Sequence, residues 1–167
     1  AVGLALRGPQ SEYGDELCMW RETEQVARRA AGAAAEIGGG AIIDIENHLA
    51  RANRAPADIE KLYAGCGLVI TSRFHGAIEA LRHKVPFIAI DQIRGGAKVY
   101  DLLANKGWPH VHRIDEADEA QICRDAADLV RAPDLEQLLN YRNTCIHEAN
   151  RTLGALDGVI EALPIRS

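Results

Sequence analysis

The segment LVITSRFHGAIEALRHKVPFIAI, residues 68–90, constrains the fold of this chain more than any other part of the sequence. It has a continuous apolar run at each end, and such runs are typical of strands that helices cover on both faces of a parallel sheet. Between the runs, Phe74, Ala77, Ile78 and Leu81 recur at the i, i+3, i+4, i+7 spacing of a helix with one inward stripe. The segment therefore predicts a strand, a crossover helix and a second, parallel strand.

The rest of the chain repeats this alternation. Strands are predicted over residues 2–6, 41–45, 67–71, 87–90 and, weakly, 110–114, and helices over 15–37, 57–64, 74–83, 97–106, 116–131 and 133–163. Parallel neighbours need crossover helices, and these cross with one hand. We therefore predict an α/β fold in which residues 1–167 form a single Rossmann-like domain. Its core is a doubly wound parallel sheet of about five strands, with flanking helices and long helices at the C-terminal end.

The charge and composition argue against several classes of function. Hydrophobic residues make up 47% and charged residues 26% of the 167 residues, as in ordinary soluble proteins, and the formal net charge is −5. An acidic chain has no general attraction for nucleic acid or for an anionic membrane. No apolar run approaches the roughly 20 residues that span a bilayer. We expect no nucleic-acid partner and no integral membrane segment, so any anion binding must be local.

The cysteines and the start of the chain indicate its cellular context. Cys18, Cys66, Cys123 and Cys145 are far apart and form no CxxC pair, which favours reduced thiols in a cytoplasmic protein over a zinc site or a disulfide framework. The chain opens on an apolar strand, without a methionine and without a signal-peptide pattern. Because a natural terminus usually frays outside the fold, we interpret the chain as part of a longer protein.

Basic side chains follow several of the predicted strands, at the point where each strand ends. Doubly wound sheets bind their ligands outside the carboxyl ends of the strands, which share one edge of the sheet. The side chains expected to converge at that edge are Arg7, Arg73, His75, Arg94 and Lys98. In an acidic protein this convergence indicates a site for a small anion that carries phosphate or carboxylate groups.

The chemistry is most specific after the third predicted strand, in the sequence Ser-Arg-Phe-His-Gly of residues 72–76. The first amides of the following helix point outward with the positive end of its dipole, which favours an anion. Ser72 is the predicted N-cap, Arg73 can grip a carboxylate or phosphate through two parallel hydrogen bonds, and Gly76 permits a close approach by backbone or ligand. His75 can donate or accept a proton near neutral pH. Arg73 and His75 are therefore the leading functional candidates.

Each of these residues also has a structural explanation. A single arginine or histidine in the first turn of a helix is more often solvated than functional. Only the occurrence of both residues together at the end of a buried strand favours a functional role. The loop 91–96, with Asp91, Arg94 and then Lys98, is a second candidate for phosphate binding, but Gly-Gly after a charged loop is also ordinary turn chemistry. Arg7 is ambiguous in the same way.

Other polar residues are assigned to the scaffold. The segment Glu46-Asn47-His48 is interpreted as a surface loop. His110 and His112 alternate on the weak fifth strand without a carboxylate or cysteine at ligand spacing, so packing at the sheet edge explains them better than a metal does. We predict no metal and no cofactor.

The sequence GLVITSRFHGAIEALRHKVPFIAID, followed by KVYDLL, resembles the signature of the polysaccharide pyruvyl transferase family. Members have an apolar strand ending in Ser-Arg-(Leu/Phe)-His-Gly/Ala, an alanine-rich helix, Val-Pro, an apolar strand and an Asp-containing loop that leads to Lys-Val. The opening VGLALRG resembles the strand that begins the family's second domain, so the resemblance covers residues 2–108. The loop DQIRGGAK departs from the family pattern because it is longer and richer in glycine.

The resemblance implies two Rossmann-like halves arranged as in GT-B glycosyltransferases, with this chain as the C-terminal half and an N-terminal domain outside the sequence. It implies transfer of the pyruvyl unit of phosphoenolpyruvate, the donor, to a hydroxyl pair of a cell-surface glycan or its lipid-linked precursor. The setting is the cytoplasm, including the inner face of the membrane, and this half alone is expected to be inactive. Arg73 and Arg7 are then expected to bind the two anionic groups, and His75 to be the general acid. The remaining expected substrate-binding residues are Ser72, Gly76, Asp91, Arg94 and Lys98.

Two other interpretations stay open. The chain has features expected of the half of a GT-B glycosyltransferase that binds a nucleotide sugar, with Glu46 or Asp91 as the carboxylate that contacts the ribose. Alternatively, it is a non-catalytic module that keeps the fold for anion sensing or for docking to a partner.

Overall fold

The computed structural model describes residues 1–47, 54–96 and 98–162, and the side chains as far as residue 153. His48, which we assigned to a surface loop, lies outside the described residues. So do Ala97, the predicted start of a helix, and Leu163, the predicted end of the last one.

Five parallel strands form the centre of the domain. They are β1 (Val2–Ala5), β2 (Ile42–Asp44), β3 (Leu68–Thr71), β4 (Phe87–Asp91) and β5 (Val111–Arg113). Their order across the sheet is β2-β1-β3-β4-β5, and every neighbouring pair is parallel. The predicted doubly wound parallel sheet is confirmed.

Six helices in the described part of the chain flank the sheet. They are α1 (Trp20–Gly38), α2 (Pro56–Ala64), α3 (Phe74–Arg82), α4 (Lys98–Ala104), α5 (Glu119–Arg131) and α6 (Leu135–Ala162). The first begins five residues later than predicted. A 3-10 turn, Ser11–Tyr13, and an isolated bridge between Cys18 and Ile93 occupy the segment before it. As predicted, the glycine cluster ends α1, and Gly39 adopts the left-handed conformation there.

The helices divide between the two faces of the sheet. On one face, Leu68 and Ile70 of β3 pack in a cluster with residues of α1 and α5. On the other face, Val69 packs in a cluster with residues of α2, α3, α4 and α6. Alternate residues of β3 thus serve opposite faces, which explains why its sequence is apolar throughout.

The inward stripe of α3 differs from the prediction at one position. Ala77 and Leu81 are buried and Phe74 is partly buried against the core, but Ile78 is 40% exposed. Gly76 and Ala80 are buried instead. A Cβ built on Gly76 would lie 2.2 Å from Oγ1 of Thr71, so α3 approaches β3 more closely than any larger residue permits. The face of α3 that carries Gly76 and Ala80 therefore lies against the core, and Ile78 lies away from it.

The strand order determines where ligands can bind. In a sheet ordered 2-1-3-4-5, the connections diverge between the first and third strands, and a crevice opens at their carboxyl ends. Arg7 and Arg73 follow those two strands. No described helix is long and apolar enough to cross a membrane.

Candidate functional site

A cavity of about 320 Å³ lies at the carboxyl ends of β1, β3 and β4, and we call it the rim cavity. Its walls combine charged, amide and aromatic side chains. The residues predicted for the site that line it are Arg7, Ser72, Arg73, His75, Asp91 and Lys98. The structure therefore brings three of the strand ends and most of the predicted residues to one place.

Arg73 immediately precedes α3, and the structure holds its side chain firmly. Its Nε donates to the carbonyl oxygen of Leu6 at 2.8 Å, and its Nη2 lies 3.4 Å from Oε1 of Glu46. The side chain is 21% exposed. The guanidinium thus joins the ends of β1 and β2 while it remains part of the cavity wall.

Ser72 does not cap α3, so this prediction is wrong. Arg73 occupies the N-cap position in an extended conformation, and its side chain makes no capping hydrogen bond to the helix. The buried Ser72 hydroxyl instead accepts a hydrogen bond from the backbone N–H of Arg7 at 2.8 Å. The Arg73 amide donates to Oγ1 of Thr71 at 3.0 Å. Ser72 therefore fixes the backbone from which Arg7 extends.

Arg7 carries a partly exposed guanidinium on the opposite side of the β1–β3 crevice. Its Nη2 lies 3.1 Å from Oε1 of Glu12, and Nε2 of Gln10 donates to the same oxygen at 3.3 Å. The pKa of Glu12 is lowered mainly by a hydrogen bond from the backbone, and further by the side-chain amide of Gln10. The carboxylate of Glu12 is therefore charged at neutral pH. Arg7 and Glu12 both line the rim cavity.

His75, Phe74 and Lys98 form the wall nearest the N-terminus of α3. The His75 ring is exposed and lies edge-on to Phe74, with 6.2 Å between the ring centroids. Nζ of Lys98 lies 5.7 Å from the centroid of the Phe74 ring. The first amides of a helix have no acceptor within that helix. This wall can therefore present a proton-transfer group, a cation and backbone donors to one ligand.

Asp91 has a structural task at the end of β4. It is 1% exposed, and its carboxylate accepts hydrogen bonds from the backbone amides of Ile93 at 3.1 Å and Tyr100 at 2.8 Å. These bonds join the end of β4 to the first turn of α4. Asp91 contributes to the rim cavity as a residue that organises its wall.

Two predicted site residues lie outside the lining of the rim cavity. Arg94 borders a separate depression with Asp15 and Glu16, and its backbone amide donates to the carbonyl of Leu17 at 2.8 Å. Gly76 packs against Thr71, so its close approach is to the strand and not to a ligand. Proximity in sequence to a strand end does not specify the direction in which a loop residue points.

Asn47 lies in the loop after β2, as predicted, and it also lines the rim cavity. Its amide nitrogen and oxygen lie 2.8 and 2.9 Å from the phenol oxygen of Tyr63. Tyr63 is fully buried in α2, and burial raises the pKa of its phenol to about 12. The sequence contains one indication that Asn47 belongs to the site, because Asn47 follows the second strand as Arg73 follows the third.

Gln92 is a second amide that the sequence analysis missed. It is 2% exposed, and its Nε2 donates to the carbonyl of Gly8 at 3.0 Å and lies 3.3 Å from Sγ of Cys18. These contacts tie the end of β4 to the loop after β1. Gln92 thereby supports the segment that carries Arg7.

His110 and His112 lie at the sheet edge, on the opposite side of the domain from β2. Nδ1 of His110 and Nε2 of His112 lie 3.7 and 3.5 Å from the same oxygen of Asp125, in α5. The fold brings this carboxylate of α5 to the fifth strand, a contact that the spacing of residues in the sequence does not indicate. Burial lowers the pKa of His112. Among the described residues, no group of side chains is suited to hold a metal ion.

Comparison with known proteins identifies one family. Residues 13–92 match the model of the polysaccharide pyruvyl transferase family. The matched segment contains Ser72, Arg73, His75 and Asp91, begins after Arg7 and ends before Lys98. No curated protein and no solved structure matches the chain.

Proposed function

Because residues 13–92 match the model of the polysaccharide pyruvyl transferase family, we propose that the rim cavity binds the donor phosphoenolpyruvate. The chain is then the donor-binding half of an enzyme that moves the pyruvyl unit to a hydroxyl pair of a glycan or its lipid-linked precursor. One observation carries this proposal. Arg7, Arg73, His75 and Lys98 surround a single cavity in a chain whose net charge is −5.

The two arginines suit the two anionic groups of this donor. Phosphoenolpyruvate carries a phosphate and a carboxylate, and a guanidinium binds either group through two parallel hydrogen bonds. Arg7 and Arg73 follow neighbouring strands and both line the rim cavity, so each can bind one of the two groups. The N-terminal amides of α3 add donors that carry the positive end of the helix dipole.

His75 is the general acid in this proposal. A proton delivered to the methylene carbon of the enol leaves an oxocarbenium-like centre at the adjacent carbon, which a sugar hydroxyl can attack. A proton delivered to the departing phosphate assists the breaking of its bond to that carbon. Either step needs an imidazole within reach of the donor, and His75 lines the same cavity as both arginines.

The acceptor sugar binds largely outside this chain. In a two-domain architecture of the GT-B type, the active site lies in the cleft between the halves, and this chain supplies the C-terminal wall. The N-terminal domain then completes the acceptor site. Activity therefore requires the full-length protein.

A ligand screen by thermal shift tests the donor assignment. We expect phosphoenolpyruvate to raise the melting temperature of the chain, because a ligand at about 100 times its Kd stabilises the folded state by roughly 2.7 kcal/mol. Inorganic phosphate should act more weakly, since it engages only one of the two anion positions.

Two other outcomes would replace this proposal. Stabilisation by a nucleoside diphosphate but not by phosphoenolpyruvate would assign the chain to the nucleotide-sugar glycosyltransferases. Equal stabilisation by phosphate and by phosphoenolpyruvate, with no pyruvyl transfer by the full-length protein, would indicate an anion-binding module.

A further inference from the structure

We propose that Glu12 is a built-in competitor for the anionic donor. Its carboxylate forms an ion pair with the guanidinium of Arg7. Arg7 is one of the two arginines that we propose bind the phosphate and the carboxylate of the donor. Glu12 must leave Arg7 when that group binds, and it can return when the product phosphate departs. This inference rests on the proposed function of the rim cavity and concerns how tightly that cavity holds its ligand.

The geometry places Glu12 where a ligand oxygen would lie. Its Oε1 is 3.1 Å from Nη2 of Arg7, and Nε2 of Gln10 donates to the same oxygen at 3.3 Å. All three residues line the rim cavity. Glu12 belongs to the 3-10 turn Ser11–Tyr13, so its side chain reaches Arg7 from within the cavity wall. A phosphate or carboxylate oxygen would accept the same hydrogen bonds.

The exposure of this ion pair makes an exchange of partners feasible. The side chains of Arg7 and Glu12 are 48% and 54% exposed. Ion pairs with this exposure contribute little to stability, because water screens the attraction and two flexible side chains lose freedom. A ligand with two anionic groups can therefore displace the single carboxylate.

Arg73 provides an internal contrast. Its side chain is 21% exposed, and its Nε is held by the carbonyl of Leu6 at 2.8 Å in addition to the contact with Glu46. The position of this guanidinium is set by the backbone of β1. The Arg73 guanidinium thus has a backbone anchor besides its carboxylate partner, whereas the Arg7 guanidinium contacts the exposed carboxylate of Glu12.

The experiment compares Glu12→Gln with the wild-type chain by calorimetric titration, with phosphoenolpyruvate and inorganic phosphate as separate probes. We expect the variant to bind both anions about two- to fivefold more tightly, as the loss of an exposed ion-pair partner predicts. The gain should shrink at high ionic strength, because salt screens exposed charges. The matched control is Glu119→Gln, which removes one carboxylate from the exposed pair with Arg29, between α1 and α5, and should leave both affinities unchanged.

A second variant separates competition at Arg7 from a general change of charge. In an Arg7→Gln background, Glu12→Gln should have no effect on either affinity. An equal gain in that background, or no gain in the single variant, would overturn the inference. If the wild-type chain binds phosphate but not phosphoenolpyruvate, the donor assignment fails and the phosphate titrations still decide the role of Glu12. Binding of neither anion would overturn both proposals.

Discussion

Two concave surfaces of this domain meet at Phe74, and they differ in size and in chemistry. The rim cavity, about 320 Å³, lies at the strand ends, while a larger groove of about 540 Å³ lies between α3, α4 and α6. Phe74 lines both. The groove is lined mainly by apolar side chains such as Ile78, Leu81 and Ile146. The larger space is thus lined mainly by apolar residues, whereas the smaller one is lined mainly by polar and charged residues.

The difference follows from what each surface is made of. Strand ends and helix N-termini supply outward-pointing backbone amides, and the loops there are free to carry polar side chains. The groove lies between the sides of helices, where side chains are selected for packing. Ion pairs occur at both surfaces: Lys106 and Arg82 of the groove pair with Glu148 and Glu60, as the two arginines of the rim pair with carboxylates. We therefore place the proposed site by the position of the cavity in the topology and not by its volume.

The largest expected effect is on the catalytic rate, which a substitution in the rim cavity should lower and one in the groove should not. Replacing His75 with alanine in the full-length enzyme should lower the rate of pyruvyl transfer by about 10²- to 10⁴-fold, the usual contribution of a general acid. Ile146→Ala, in the groove, is the control and should leave the rate unchanged. The measurement is turnover with saturating phosphoenolpyruvate. An unaffected rate in the His75 variant would remove the general-acid assignment.

Donor affinity gives the next contrast. Arg73→Ala should raise the Kd for phosphoenolpyruvate by about 10- to 100-fold, because a charge-assisted hydrogen bond contributes roughly 1.5–3 kcal/mol. Arg142→Ala removes the same charge from the groove and should leave the Kd unchanged. Calorimetric titration of the 167-residue chain measures both. Equal losses in the two variants would mean that the anion is attracted by overall charge and not by the rim cavity.

Gly76 tests how closely α3 must approach β3 to shape the rim. A methyl group at this position would meet Oγ1 of Thr71, so Gly76→Ala should destabilise the fold by about 1–3 kcal/mol through overpacking. Gly32 lies in α1 with open space around its Cα, and Gly32→Ala should instead stabilise the fold by up to about 1 kcal/mol. Urea denaturation measures both changes. Destabilisation of similar size in the two variants would contradict the close approach of α3.

The smallest expected effect concerns pH and His112, which is partly buried at the sheet edge, away from the rim cavity. Burial lowers the pKa of His112 below its unfolded value, so the unfolded chain binds this proton more readily. The contribution of His112 to stability is therefore complete above about pH 6.5 and declines as the pH falls below it. Thermal melts between pH 7.5 and 5.5 should show a lower melting temperature at acidic pH.

His112→Gln provides the control for this pH dependence, because a glutamine has no proton to gain in this range. The fall in melting temperature between the two pH values should be shallower in this variant than in the wild-type chain. Identical pH profiles would show that His112 does not contribute.

Much of the fold could be predicted because its signals are local. The apolar runs of β3 and β4 and the glycines after α1 are readable from residue type and spacing alone. The convergence of Arg7, Arg73, His75 and Lys98 was also accessible, since the carboxyl ends of parallel strands share one edge. The predicted inward stripe of α3 was wrong at Ile78, because the helix packs against β3 through the face that carries Gly76.

The sequence by itself determined which residue types stand at the strand ends, and therefore that an anion site at the sheet edge was expected. Only the tertiary structure decided which of those residues share a wall. It turned Arg94 and Gly76 away from the cavity, assigned Ser72 to the backbone of Arg7, and brought Asn47 and Glu12 into the site. The physical reason is that strands and helices form from local periodicity, whereas the direction of a loop side chain depends on contacts with residues far away in the chain.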